Sequence, residues 1–253
     1  MGLRGIGAKP VKRRQEGHDE PLEPAAWEAE GLTRAERVIA FVESLKITSG
    51  VHAGKPFLLR PWQRDIIEAI YRVDDEGRRI VRQALLSVPR KNGKTQLAAA
   101  LALCHLAGPE AVPRGQAYSA AADRAQASLI FKEMQALIAA DPRLSDRIII
   151  RQHAKTLEDV DTGSIYPPLS SDARKAHGLS PSFVVCDELA QWHGRELYDN
   201  LVTGTGAHAE PLVVVISTQS ADPNHVMSEL TEYGRQVLEG TIEDSTFLPV
   251  IYA

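Results

Sequence analysis

The stretch Ser87-Val88-Pro89-Arg90-Lys91-Asn92-Gly93-Lys94-Thr95 constrains the fold more than any other, because it stands between an apolar run at residues 80–86 and a helix-forming run at residues 96–106. A strand that turns through such a loop into a helix gathers backbone N–H groups at the positive end of the helix dipole, where an anion is held. In the pattern G-x-x-x-x-G-K-[ST] the lysine reaches the β/γ-phosphates of a nucleotide and the hydroxyl ligates Mg²⁺, tasks that fall here to Lys94 and Thr95. Gly93 lets the backbone approach the phosphates. Val88 occupies the place of the pattern's first glycine, so strand, loop and helix in the right order carry the reading.

The carboxylates that such a loop needs are found downstream. Residues 182–188 run Ser-Phe-Val-Val-Cys-Asp-Glu, apolar without alternation, as in a parallel strand covered on both faces. Catalytic groups in such sheets collect at the carboxyl ends of the strands, where Asp187 and Glu188 stand. Asp187 is placed to hold Mg²⁺, directly or through water, and Glu188 to orient and deprotonate the water attacking a γ-phosphate. On its own an acidic pair after a strand is as well explained by a helix cap; the upstream Gly-Lys-Thr makes it a constellation. Another apolar strand, 212–216, ends in Ser217-Thr218-Gln219. These are either ordinary polar strand-end residues or the segment that senses the γ-phosphate and passes its loss to a helix at 224–238.

Elsewhere the pattern alternates strands with helices. Thr33-Arg34-Ala35-Glu36 has capping-box spacing, and Val38, Ile39, Val42 and Leu45 follow on one helix face. Residues 50–55 read as a connector. Pro61 opens a helix expected to bury Trp62, Ile66, Ile67 and Ile70, and Gln63 is placed to offer its amide to adenine N6 and N7. Residues 115–121 predict a strand, 123–140 a helix, 147–152 a strand, 155–166 a hairpin and 246–252 a last strand. Four or five βα units without repeats predict a doubly wound α/β domain, mostly parallel, with helices on both faces.

The 253 residues are 43% hydrophobic and 25% charged, an ordinary globular composition. A net charge of −4 provides no overall nucleic-acid signature, so any DNA contact must come from local patches or from assembly. Cys104 and Cys186 lack C-x-x-C spacing and are expected to be buried reduced thiols. With no membrane-length apolar run and no signal-peptide core, the sequence reads as cytosolic. Residues 1–32 read as a poorly ordered charged arm: Arg4, Lys9, Lys12, Arg13 and Arg14 precede a run of acids, either simply solvated or a docking tail for DNA or a protein. Order is expected from Thr33.

Pro89-Arg90-Lys91-Asn92-Gly93-Lys94-Thr95, Pro61-Trp62-Gln63, Val184-Val185-Cys186-Asp187-Glu188 and the closing Phe247-Leu248-Pro249-Val250-Ile251-Tyr252-Ala253 together resemble the ATPase domain of the large terminase subunit of tailed bacteriophages, over residues 33–253. That family often lacks the first glycine and carries basic residues in the loop, which suits Val88. The resemblance implies a P-loop NTPase fold of the RecA-like, additional-strand catalytic-glutamate type, and an Mg²⁺-dependent ATP-hydrolysing motor that drives double-stranded DNA into a procapsid. By motif, Gln63 is similar to the adenine-contacting glutamine and Arg90 to a catalytic loop arginine. Lys91, Asn92 and Gly93 belong to the nucleotide loop, Lys94 and Thr95 match the phosphate and Mg²⁺ residues, Asp187 and Glu188 the metal-holding and catalytic carboxylates. Ser217, Thr218 and Gln219 fall in the coupling segment.

Implied partners are a portal protein, a small terminase subunit and further copies in a ring, often a pentamer, in the host cytoplasm and transiently docked on the procapsid; a monomer in isolation also fits. Family members carry a C-terminal nuclease domain that this chain is expected to lack. With one phosphate loop per chain, an arginine finger must come from a neighbour and is worth roughly 10³–10⁵ in rate; the candidates are Arg124, Arg143, Arg147, Arg151 and Arg174. A helicase-like or restriction-type DNA translocase is the rival within the same class, although those enzymes pair two motor cores in one chain. A nucleotide-gated binding module without catalysis is the rival outside it. A small-molecule kinase would have no need of Glu188 to activate water.

Overall fold

A computed structural model describes residues 24–89, 92–170 and 178–252. Arg90, Lys91 and Arg174, and the basic stretch from Arg4 to Arg14, lie outside the described residues. The described residues open with a 3-10 turn, Ala26–Glu28, then α1 (Arg34–Ser44) and α2 (Pro61–Ile70). Next come β1 (Gln83–Ser87), α3 (Lys94–Ala107), β2 (Ala117–Ala121), α4 (Arg124–Ala140) and a short α5 (Pro142–Arg147). After β3 (Ile148–Arg151), β4 (Thr156–Asp159), β5 (Ile165–Tyr166) and β6 (Pro168–Ser170), β7 (Phe183–Asp187), α6 (Glu196–Gly204), β8 (Leu212–Ser217), α7 (Val226–Leu238) and β9 (Phe247–Ile251) complete the order.

Six of these strands form one sheet in the order β6-β2-β7-β8-β1-β9, and every pairing in it is parallel. Strands far apart in sequence are therefore neighbours, as crossover helices require. Alternation of side chains along each strand divides the apolar runs between two cores. Phe183, Val185, Val214 and Ile216 pack with α1, α2, α3 and α4, whereas Val184, Cys186, Val213 and Val215 pack with Leu197, Tyr198 and Leu201 of α6 and Met227 of α7. From Leu97 to Ala107 every residue of α3 is buried, so this Ala- and Leu-rich helix is a central pillar with no polar face. β3, β4 and β5 make a separate antiparallel sheet, which contains the hairpin expected at 155–166. No helix among the described residues is long and apolar enough to cross a membrane. Cys104 and Cys186 are both buried and free.

Two expectations need correction, on where packing starts and on Trp62. Packing starts before Thr33: the Trp27 ring meets Phe41 edge-on, centroids 4.9 Å apart, and its carbonyl accepts a hydrogen bond from Arg37 Nη1. The capping box is nonetheless present, with Glu36 Oε2 accepting from Thr33 N at 2.8 Å and Thr33 Oγ1 from Glu36 N. Trp62 is only half-buried against Tyr252, while Gln63 turns inward and is 3% exposed, because its carbonyl is needed at the start of α2. The connector at 50–55 contains a 3-10 turn, Gly50–His52, and is pinched by an antiparallel bridge between Lys46 and Pro56.

Candidate nucleotide site

The carboxyl ends of β1, β7 and β8 lie level, since Ser87 pairs with Ser217 and Asp187 with Ile216. β1 continues pairing one residue beyond its end: Val88 N donates to Ser217 O at 3.1 Å and the Val88 side chain is buried. That extended, core-facing position explains a valine where the motif usually has glycine. Asn92 Nδ2 then ties the loop back to Pro89 O. Gly93 takes the left-handed conformation, φ 73 and ψ 22, at the N-cap of α3. No atom crowds the place where a Cβ would stand, so conformation and not space selects glycine there. Beyond it the first-turn N–H groups of α3 have no partners within the helix, which is what an anion needs.

Lys94 Nζ donates to Glu188 Oε1 at 2.8 Å and to Val88 O at 3.3 Å. The two side chains are 9% and 16% exposed, so the pair is largely removed from water. Glu188 adopts φ 48 and ψ 49, left-handed for a residue with a side chain, a conformation that costs about 1–3 kcal/mol and collects at functional sites. The turn is held from β8: Glu188 N donates to Ile216 O, and Ser217 Oγ accepts from Ala190 N. Glu188 Oε2 is buried with no hydrogen-bond partner among the described residues. The site thus holds a carboxylate with one oxygen engaged and one open.

Asp187 is 5% exposed. Burial, and then the neighbouring Glu188 charge, push its carboxyl up to about 6 from the ordinary 3.8, with Lys94 pulling the other way. A buried carboxylate with raised proton affinity gains most from a cation beside it. No cluster of three or more His, Cys, Asp or Glu occurs among the described residues. A cavity of about 400 Å³ is lined by Gly93, Lys94, Thr95, Gln96 and Glu188 together with Ser49 and Glu133. Thr95, in that lining, and Asp187, adjacent in sequence to Glu188, are oxygen donors that could hold Mg²⁺, which takes one or two protein ligands and completes its shell with phosphate and water.

Several expected residues sit elsewhere. Gln63 Oε1 accepts from Arg60 N at 2.9 Å, closing the first turn of α2, and Gln63 is not among the residues lining this cavity. Ser217 touches the Glu188 turn, whereas Gln219 borders a second hollow with Thr231 and Arg235 of α7; Thr218 is half-buried. Among the arginines, Arg147 is bound by Asp159 through two hydrogen bonds and Arg151 by Glu158. Arg143 is also engaged by a neighbour. Arg124 is exposed at the first turn of α4, and its guanidinium has no ion pair among the described residues.

Ser49, Gln96 and Glu133 were not legible as site residues. Gln96 follows the motif directly and was within reach, but a serine in a connector and a glutamate in a helix carry no signal. Nor was a relay from the acidic pair to α7, in which Trp192 Nε1 donates to Asp187 O, His225 Nε2 donates to Trp192 O, and His225 Nδ1 caps α7 through Met227 N.

The family model for the ATPase domain of the terminase large subunit matches residues 61–236. The large subunit of terminase from Enterobacteria phage HK97 is 38% identical over 200 residues, which is 78% of this chain and 39% of that protein. The chain therefore spans about two fifths of that relative's length. The crystal structure of the HK97 large terminase superposes with a TM-score of 0.76 at 35% identity, covering 87% of this chain and 44% of that one. The large terminase of a thermophilic bacteriophage, in complex with ADP, shares the fold at a TM-score of 0.53 and 9% identity, over 77% of this chain and 46% of that one. The family match encloses the glycine-turned loop, Lys94 and both carboxylates, and with the HK97 relative it shows the family: the chain belongs to the terminase large subunit ATPase domains.

Proposed function

We propose that the chain hydrolyses ATP at the α3 N-terminus and, as the motor domain of a viral terminase, drives double-stranded DNA into a procapsid. The observation that carries the reading is the Lys94–Glu188 pair beside a glycine-turned helix N-terminus. Thr95 and Asp187 would hold Mg²⁺, which when bound would neutralise charge developing on the phosphates. The arriving phosphates take Lys94 away from Glu188, and the freed carboxylate accepts a proton from the attacking water. Gly93, Asn92, Lys91 and Arg90 cradle the phosphates, and Gln63 keeps its amide N–H₂ for the base while its carbonyl closes α2. Ser217, bonded to the turn after Glu188, with Thr218 and Gln219 leading toward α7, is the means by which loss of the γ-phosphate becomes movement.

Arg124 is our choice for the arginine acting between subunits, because Arg143, Arg147 and Arg151 are engaged within their own chain. The ring it requires, the portal and small-subunit contacts, and action in the host cytoplasm belong to the same proposal. The test is complementation. Lys94→Ala and Arg124→Ala are each expected to be inactive alone, and mixing them is expected to restore ATP hydrolysis, because a Lys94→Ala neighbour supplies its arginine to an intact Arg124→Ala site. Rapid turnover by a proven monomer, at a rate independent of concentration, would overturn the trans arrangement.

A further inference from the structure

Two residues of the cavity lining, Ser49 from the α1–α2 connector and Glu133 from the middle of α4, have no task in the account so far. Unlike Glu188, which is paired with Lys94, Glu133 has no ion pair among the described residues, and an unpaired carboxylate repels phosphate oxygens, so it is ill suited to meet the triphosphate. It is held in place: Thr48 Oγ1 donates to Glu133 Oε1 at 2.5 Å, joining α4 to the connector. An ionised carboxylate only accepts hydrogen bonds and has about four lone-pair sites, so one donor leaves room for others. What it calls for is a ligand group bearing O–H or N–H donors.

The orientation of the nucleotide follows from the loop side chains. Lys94 and Glu188 define the γ-phosphate end, since one binds the β/γ-phosphates and the other acts on water beside them. The chain of phosphates then runs along the first turn of α3 past Thr95 and Gln96, and the sugar comes next. Ser49 and Glu133 are the lining residues contributed from outside the loop, α3 and the β7 end, and so are left for the part of the ligand beyond the phosphates. The first donors met beyond the α-phosphate are the ribose hydroxyls, and a carboxylate accepting from ribose hydroxyls is a recurrent device in nucleotide sites.

We propose that Glu133, with Ser49 beside it, accepts hydrogen bonds from the ribose hydroxyls and makes the site selective for ribonucleotides over deoxynucleotides. This rests on the nucleotide reading of the cavity. The test is calorimetric titration of ADP, 2′-deoxy-ADP, 3′-deoxy-ADP and inorganic tripolyphosphate into the parent, Glu133→Ala, Glu133→Gln and Lys94→Ala. The parent is expected to bind ADP roughly tenfold more tightly than at least one deoxy analogue, the size of one charge-assisted hydrogen bond. Glu133→Ala is expected to bind all three nucleotides alike with tripolyphosphate affinity unchanged. Glu133→Gln, which keeps the shape and an accepting carbonyl, is expected to retain a reduced preference.

A parent indifferent to the missing hydroxyls, or a Glu133→Ala protein that keeps the parent's preference, overturns the assignment. So does a Glu133→Ala protein that binds tripolyphosphate more tightly in proportion to ADP, since the residue would then act on phosphate charge. If Lys94→Ala leaves both ADP and tripolyphosphate binding intact, it is the nucleotide reading itself that fails, a result distinct from the others.

Discussion

Asp187→Asn is expected to make the nucleotide-free protein more stable while removing its function. The side chain is 5% exposed, and its carboxyl is pushed up to about 6 from 3.8 by burial and by Glu188. A carboxyl whose folded pKa is raised binds its proton more tightly in the folded chain. Its ionisation then favours unfolding: stability is greatest below the ordinary value and falls as pH rises through about 6. At about 1.4 kcal/mol per pH unit, the gap is on the order of 3 kcal/mol at pH 8. An uncharged isostere avoids that loss, so Asp187→Asn should gain up to about 3 kcal/mol at pH 8, shrinking to about a third of that by pH 4.5. In a domain of this size the gain corresponds to a rise of roughly 6–12 °C in Tm. Circular dichroism melts in EDTA at the two pH values are the assay. A variant that is no more stable than the parent at pH 8, or whose gain is the same at both pH values, would refute the reasoning. In the parent, protonation of Asp187 should compete with the cation, so Mg²⁺-dependent activity should fall as pH drops through about 6.

Glu188→Gln removes the ionic partner of Lys94, and ADP is expected to bind severalfold more tightly in EDTA by calorimetry; unchanged or weaker binding would show that the pair does not compete with phosphate. Gly93→Ala meets no neighbouring atom yet forces a side chain into φ 73, at a cost of about 1–2 kcal/mol, readable as a lower Tm, and an unshifted melt would contradict the assigned conformation. Trp27→Ala removes a ring packed on Phe41 and should cost about 3 kcal/mol in urea unfolding; a change within about 0.5 kcal/mol would place Trp27 outside the cooperative unit.

The sheet was legible because its central strands are buried on both faces, and runs such as Phe183-Val184-Val185-Cys186 have no other economical explanation in a globular chain. Lys94, Asp187 and Glu188 were legible because phosphate chemistry demands a loop before a helix and carboxylates after a parallel strand. The direct contact of Lys94 with Glu188 was not, since the register that brings β7 beside β8 and levels the strand ends is a tertiary fact. Trp27 was hidden by the acids around it, which made a packed turn look like solvated tail. For Gln63 the placement beside a motif was legible, whereas the capping of its own helix by its carbonyl was not. The α6 pattern Leu197, Tyr198 and Leu201 was present at helical spacing and passed unread, whereas β6 spans only three residues and has too little periodicity to find. Glu133 and Ser49 acquire meaning only from the cavity they share.

The most direct test of the central claim is Mg²⁺-dependent ATP hydrolysis by the parent, Lys94→Ala and Glu188→Gln, measured across protein concentrations with ADP binding followed in parallel. The account predicts that Lys94→Ala loses both binding and turnover, that Glu188→Gln binds ADP but does not turn over, and that parent activity rises faster than linearly with concentration. A Glu188→Gln protein hydrolysing ATP at the parent's rate would contradict the assignment of the water-activating carboxylate and, with it, the mechanism.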